Sequence, residues 1–122
     1  VDVHTYKTPY RVLNDRLKHL TKRSDHNEMM MVLADMRALR VTIAKCNLNH
    51  HERVALAVLD GLHEWDHSYR KGRYRKERLV CLRRACKKHG VLHLEYVLEL
   101  ASHWVNDLES WAHGILSGER GY

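Results

Sequence analysis

Apolar residues recur three or four positions apart along most of the chain, which is the spacing of one buried helix face. Five segments show this pattern, and it favours shallow packing angles between neighbouring helices. Because the connections between the segments are short, consecutive helices are expected to fold back on one another. The pattern therefore predicts an all-α fold, an antiparallel up-and-down bundle of four to five helices. We expect one domain over residues 1–122, with loose ends at 1–9 and 118–122.

The first two predicted helices have recognisable starts. One begins just after Pro9, because proline suits the first helical position. Its apolar face contains Tyr10, Leu13, Leu17 and Leu20. The other begins at Asp25, with Glu28 three residues later in a capping-box pattern. Its apolar face contains Met29, Val32, Met36, Leu39, Ile43 and Cys46. Met29 and Met36 are expected in the core, and Met30 or Met31 on the surface as an adaptable contact for a partner.

The third and fourth helices are predicted from similar signals. Asn49 and Glu52 form a second capping-box pattern, and this helix should end near Gly72. Its apolar face contains Ala55, Val58, Leu62, Trp65 and Tyr69. The fourth helix should span about 73–89, with its seam on Leu79, Leu82 and Cys86. It should stop at Gly90, since glycine readily adopts the left-handed conformation that ends many helices.

The fifth predicted helix is the longest. Its apolar residues keep strict three-four spacing without interruption: Leu94, Val97, Ala101, Trp104, Leu108, Trp111 and Ile115. A second apolar set, outside this seam, consists of Leu98, Val105, Ala112 and Leu116. Because of this second set, the helix should contact more than one partner helix, within the chain or across a homo-oligomer. The tryptophans on these seams are expected in the core.

Charge is concentrated in one part of the chain. The 21 Lys and Arg exceed the 15 Asp and Glu by six. Residues 70–89 hold ten of the basic residues and one acid, Glu77, so that segment carries +9 and the rest of the chain −3. Composition alone favours an acidic partner. The distribution predicts a single basic surface on the fourth helix.

Advancing each residue by 100° separates an apolar face of this helix from a cationic one. Lys and Arg at such spacing follow a phosphate backbone. We therefore predict a nucleic-acid-binding module, for RNA or for backbone shape more than for base sequence. The predicted contact residues are Arg70, Lys71, Arg73, Arg75, Lys76, Arg83, Arg84, Lys87 and Lys88.

Other interpretations of this surface stay open. The fifth helix carries Glu95, Glu99, Asp107 and Glu109 with no Lys or Arg over 91–117, so its acids would neutralise part of the basic surface. An acidic protein surface is another candidate partner. The main alternative function is a protein-protein interaction or assembly module that uses the fifth helix or the Met-rich second helix. Residues 79–100 loosely match a helix-turn-helix, but the acids on its second helix would repel phosphates.

His63, Glu64 and His67 match the H-E-x-x-H pattern, in which two histidines bind zinc and the glutamate activates a water. A zinc hydrolase is therefore a minor alternative. The motif needs a third ligand, for which His93, Glu95 and His103 are the candidates. Because no third ligand is placed by the sequence, we expect no metal, no catalytic residue and no cofactor, and we do not expect an enzyme.

The three cysteines form no C-x-x-C pattern and no even set, so we expect free thiols and an intracellular location. His50 and His51 lie near Cys46, but adjacent helix residues point about 100° apart and rarely share one metal ion. No apolar run of transmembrane length and no signal peptide is visible. The chain begins with Val1, so we expect a processed product or a fragment of a longer polypeptide.

Overall fold

The structure is a computed structural model. It describes residues 2–21, 23–69 and 75–120, and of residues 65–69 and 75 it describes only the backbone. The described residues form helices and no strand, so the all-α prediction is confirmed. The six helices are α1 (His4–Lys18), α2 (His26–Ile43), α3 (His50–Tyr69), α4 (Arg75–Lys88), α5 (Leu94–His103) and α6 (Val105–Ser117). None of these six is long and apolar enough to cross a bilayer.

Helix α3 is the central element. Nearly every residue from Val54 to Leu62 is buried, as expected for a helix that is covered on several sides. Helices α4 and α6 pack on α3, α1 packs on α2 and α6, and α5 contacts both α4 and α6. The positions of α4 and α6, and through them of α5, therefore depend on how they are attached to α3.

Gly61 allows α3 and α4 to approach closely. A Cβ atom at this position would lie 2.9 Å from Leu82 Cα and 3.3 Å from Ala85 Cβ. The first distance is too short for any side chain, so a larger residue would force the backbone of α4 outward. Gly61 thereby determines how deeply the apolar face of α4 is buried.

Two predicted helix boundaries are present in the structure. At the start of α3, Asn49 N donates to Glu52 Oε1 and Glu52 N donates to Asn49 Oδ1, each over 2.9 Å. This reciprocal pair is a complete capping box. At the end of α4, Gly90 has φ +64°, and Val91 N donates to Cys86 O over 2.9 Å while Gly90 N donates to Lys87 O. These bonds satisfy carbonyls that the helix end leaves open.

The first helix begins earlier than predicted. It starts at His4 and contains Pro9, so residues 4–9 are not a loose end. Val3 is buried in the core, and the Asp2 carboxylate accepts a hydrogen bond from His4 N over 2.9 Å. Burial and capping together stabilise these residues. Pro9 lies close enough to the helix start that its missing N–H removes one backbone hydrogen bond without ending the helix.

The fifth predicted helix is two helices in the structure. The backbone leaves the helical conformation at Trp104, with φ −129° and ψ 43°, which separates α5 from α6. The break lets α5 pack on α4 while α6 packs on α1 and α3. Trp104 lies at the bend and is 59% exposed, so its predicted core position was wrong. Leu98, Ala112 and Leu116 are buried within the chain, where they no longer offer a surface for oligomerisation.

Polar side chains connect α1, α2 and α6 inside the core. The Tyr10 hydroxyl is fully buried and lies 2.8 Å from His113 Nδ1 on α6. Arg40, which is buried on α2, donates to the same hydroxyl over 3.2 Å. Burial raises the pKa of Tyr10 despite the opposing charge of Arg40, so the phenol is protonated at neutral pH.

The same arginine continues the connection into α3 and to the end of α4. Arg40 Nε lies 3.5 Å from Asp60 Oδ1, and Asp60 Oδ2 lies 2.8 Å from His89 Nε2. Burial alone would raise the pKa of Asp60, but the hydrogen bond from His89 and the charge of Arg40 lower it. The stability that Asp60 contributes is therefore present above its ordinary pKa and is lost as the pH falls through the lower, folded value. We call the five side chains of Tyr10, Arg40, Asp60, His89 and His113 the core polar network.

Tyr10→Phe tests this network. The substitution removes one hydroxyl and leaves Arg40 Nη1 and His113 Nδ1 without that partner inside the core, so we expect a loss of about 1–3 kcal/mol in the free energy of unfolding. Urea denaturation followed by circular dichroism measures it. Tyr96→Phe, which removes a hydroxyl from a side chain that is 66% exposed, is the matched control. Equal losses in the two variants would contradict a stabilising role of the network.

Candidate nucleic-acid interface

Helix α4 has one buried apolar face and one exposed basic face. Cys81, Leu82, Ala85 and Cys86 are buried, and Gly61 of α3 lies against them. The exposed basic residues of α4 are Lys76, Arg83, Arg84, Lys87 and Lys88. We call these five residues the cationic face. Of the other predicted contact residues, Arg70, Lys71 and Arg73 lie outside the described residues, and so does the side chain of Arg75.

Two members of the cationic face have acidic partners. Arg83 Nη1 lies 3.3 Å from Glu95 Oε1, and Arg84 forms an ion pair with Glu64. Both pairs are solvent-exposed, with Arg83 at 47% and Arg84 at 65% exposure. Such pairs contribute only about 0–1 kcal/mol. They leave the cationic face only weakly neutralised.

The other acids of the predicted fifth helix do not reach α4. Glu99 lies 3.8 Å from His103 Nε2, and Glu109 lies 3.8 Å from His113 Nε2, each within its own helix. Within the described part of the chain, no carboxylate forms an ion pair with Lys76, Lys87 or Lys88. The expected neutralisation of the basic surface by this helix is therefore limited to Glu95.

The H-E-x-x-H residues lie on α3. His63 is exposed, Glu64 is engaged with Arg84, and the side chain of His67 lies outside the described residues. The three candidate third ligands have other neighbours. His93 makes a ring contact with His50, Glu95 pairs with Arg83, and His103 lies near Glu99. Across the described residues, no group of three His, Cys, Asp or Glu side chains is placed to hold a metal ion.

The cysteine thiols are free. Burial raises the pKa of Cys86 to about 11 and also raises the pKa of Cys81. Both thiols are therefore protonated at neutral pH, and they contribute to the packing of α4 on α3 rather than to nucleophilic chemistry.

A groove of about 910 Å³ between the starts of α3 and α5 and the bend into α6 was not predicted. The apolar side chains that line it are Val54, Leu92, Val97, Leu100, Trp104, Leu108 and Trp111, with Tyr96 beside them. Its other lining residues are Asp107, Arg120, His50, His51 and His93. These residues come from four separate stretches of the chain. Only the run of apolar residues at 91–92, directly after a helix-ending glycine, hinted at an exposed apolar surface.

Three imidazoles meet at one end of this groove. The ring of His50 makes edge contacts with His51 and His93, with ring centroids 5.9 Å and 5.8 Å apart. Burial, followed by the neighbouring imidazoles, lowers the pKa of His50. His93 has φ +58°, a left-handed conformation that is uncommon outside glycine and is often found at functional sites.

The groove and the cationic face lie on different flanks of α5. Glu95 contacts α4, whereas Tyr96 and Leu100 line the groove. At 100° per residue, those two positions lie about 100° and 140° from Glu95 around the helix. A ligand in the groove would therefore not reach the cationic face directly.

Comparison with protein-family models, with curated proteins and with solved structures finds no match to this chain. The two surfaces themselves are therefore the basis on which a function can be assigned.

Proposed function

We propose that this protein is a nucleic-acid-binding helical module in which the cationic face of α4 holds the phosphate backbone of RNA. The observation that supports this most is the division of α4 into a buried apolar face and an exposed face with five cations. The helix is attached to the core through its apolar side, so its basic side is presented to solvent as one rigid surface. Arg70, Lys71, Arg73 and Arg75 would extend that surface toward the start of α4.

The length of the cationic face suits a short run of phosphates. From Lys76 to Lys88, at 1.5 Å per residue, α4 covers about 18 Å. One strand of a nucleic acid in a helical conformation carries a charge about every 3.4 Å, so this length corresponds to about five phosphates. Neutralising them releases condensed counterions, which is the main source of backbone affinity.

The ion pairs on this face do not oppose the proposal. Because each exposed pair contributes about 0–1 kcal/mol, a phosphate can replace Glu95 or Glu64 as the partner of the arginine at little cost. Arginine can bind phosphate in a bidentate manner, so a phosphate is as good a partner for it as an exposed carboxylate.

Backbone recognition is favoured over reading of the DNA major groove. In a helix-turn-helix, α5 would be the helix in the groove, yet Glu95 and Glu99 on α5 are 80% and 74% exposed. Carboxylates at those positions would repel phosphates on both sides of the groove. We therefore assign the binding to α4 alone.

We also propose that the bundle is antiparallel and that the protein is intracellular. Asp60 of α3 contacts His89 at the end of α4, and Glu64, one turn further along α3, contacts the earlier residue Arg84. Moving forward along α3 therefore means moving backward along α4. This supports an antiparallel arrangement of the two helices, and we infer the same for the bundle. The free thiols support an intracellular location, where thiols stay reduced.

The test is a double charge reversal. Lys76→Glu with Lys87→Glu removes two cations that lie within about 20° of each other around α4. We expect at least a tenfold loss of affinity for a fluorescent uridine oligonucleotide, measured by fluorescence anisotropy near physiological salt, because attraction at two phosphate contacts becomes repulsion.

The matched control is Arg23→Glu with Lys45→Glu, which alters the net charge by the same amount at exposed positions away from α4. Far-UV circular dichroism confirms that both proteins are folded. Lys87 also stabilises α4 as a cation in its last turn, so a purely structural role would lower thermal stability and leave RNA affinity unchanged. That outcome, or equal loss of affinity in the control, would contradict the proposal.

A second candidate function, assembly with another copy of the chain, is favoured by the outer face of α2. Met30, Leu33 and Val41 are 54%, 39% and 58% exposed, and they lie within about 80° of one another around the helix. A surface helix usually presents polar residues on that side. Since the opposite face of α2 is buried on α1, this apolar outer face is available for a second copy.

Sedimentation at micromolar concentration tests this candidate. We expect a dimer that Leu33→Asp with Val41→Asp converts to monomer, because burying two carboxylates in the interface is costly. Val12→Asp, at a position 63% exposed on α1, is the control and should leave the dimer intact. A wild-type protein that sediments only as monomer would exclude assembly through α2.

A further inference from the structure

We propose that the groove formed by α3, α5 and α6 binds a small apolar carboxylate, whose hydrocarbon part lies against Trp104, Trp111 and Leu100 and whose carboxylate faces the imidazoles of His50 and His93. This inference is independent of the nucleic-acid proposal, because the groove shares no residue with the cationic face.

The size and lining of the groove are those of a small-molecule site. Its volume of about 910 Å³ lies within the range of roughly 300–1,000 Å³ that is usual for ligand pockets. Most of its wall is aliphatic or aromatic, and three of its polar groups, the imidazoles of His50, His51 and His93, meet at one end. That combination binds the apolar body of a ligand and orients its polar end.

Several apolar side chains of the groove remain exposed to solvent in the folded chain. Leu92, Tyr96 and Trp104 are 68%, 66% and 59% exposed, and all three line this one feature. A contiguous exposed apolar surface marks a binding site more often than single exposed residues do. The break between α5 and α6 lies at Trp104, one of these three exposed residues.

Charge determines which kind of ligand fits. Around His50 lie His51 and Arg53 of α3 and His93 before α5, and the far wall adds Asp107 and Arg120. These groups can supply several N–H donors and two guanidiniums against a single carboxylate. An anionic ligand head therefore finds complementary partners, whereas a cationic head finds only Asp107.

A protein partner fits less well. The outer face of α2 on another copy is one apolar candidate, but Arg37 lies among its apolar residues and would bring a further cation to a groove that already holds Arg120. Covering the imidazoles of His50 and His93 with an apolar helix face would also remove their N–H groups from water, which is costly.

A carboxylate beside His50 has a predictable pH dependence. In the free protein the pKa of His50 is lowered, so the ring is mostly neutral near pH 7. A bound carboxylate stabilises the protonated ring and raises that pKa, so binding takes up a proton. Affinity should therefore increase as the pH falls from about 8 to about 6. Each unit by which the ligand raises the pKa of His50 can increase the affinity by at most about tenfold.

The experiment uses two probes that differ in one group, 1-pyrenebutyrate and 1-pyrenebutanol. Both quench tryptophan emission by energy transfer when they bind near Trp104 and Trp111. We expect pyrenebutyrate to bind about three- to tenfold more tightly near pH 6 than near pH 8, with its carboxyl group ionised at both. Pyrenebutanol should bind without this pH dependence.

Two variants locate the site. Trp104→Ala, at an exposed position, should weaken both probes about tenfold, because it removes the largest apolar contact. His50→Gln removes the imidazole to which the pH dependence is assigned, and it should reduce the pH dependence for pyrenebutyrate without affecting pyrenebutanol. Met31→Ala and His26→Asn, at exposed positions on α2, are the matched controls.

Several results would overturn the proposal: no binding of pyrenebutyrate, binding that Trp104→Ala does not weaken, or equal pH profiles for the two probes. A Trp104-dependent dimer that excludes the probes would assign the groove to a second copy instead. The double reversal of Lys76 and Lys87 should leave pyrenebutyrate affinity unchanged, so failure here is distinguishable from failure of RNA binding.

Discussion

The core polar network is the interaction on which the arrangement of the helices depends. Its members come from α1, α2, α3, α6 and the residue that follows α4, so one connected set of side chains attaches each of these elements to α3 or to α6. Buried polar groups are costly when they lack partners, and hydrogen bonds require specific distances. The network therefore favours one arrangement of the helices over others that bury similar apolar area.

The network also positions the cationic face. His89 directly follows α4, and its hydrogen bond to Asp60 attaches the last turn of that helix to α3, while Gly61 one residue later allows the close approach. The last part of α4 is thus attached to α3 by the His89 side chain and by the close backbone packing at Gly61. A rigid helix presents its cations at constant spacing, which reduces the entropy lost when they bind a phosphate backbone.

Much of the fold could be predicted from local signals. Apolar spacing identified the helices, the Asn49 and Glu52 pair identified the start of α3, and Gly90 identified the end of α4, because each signal depends on neighbours within one or two turns. The break at Trp104 could not be predicted. The apolar spacing continues across it, and no proline or glycine marks it, so the division follows from the separate packing of α5 and α6.

The sites show the same distinction. The cationic face could be predicted because all its members lie on one helix, and the 100° rule separates them from the apolar face. The groove and the core polar network could not, since their residues are brought together only by tertiary packing. Arg40 and Asp60 are ordinary charged residues in the sequence, and nothing near them indicates that the first is buried.

The central claim is that the cationic face holds phosphates, and the salt dependence of RNA affinity tests it most directly. Affinity for a uridine oligonucleotide, measured at several salt concentrations and plotted as logarithms, should fall linearly with a slope of about −3 to −4 if all five cations each replace a counterion on a single strand. A slope near zero would contradict the account, because binding would then depend on apolar contact or on a few uncharged hydrogen bonds rather than on phosphate neutralisation.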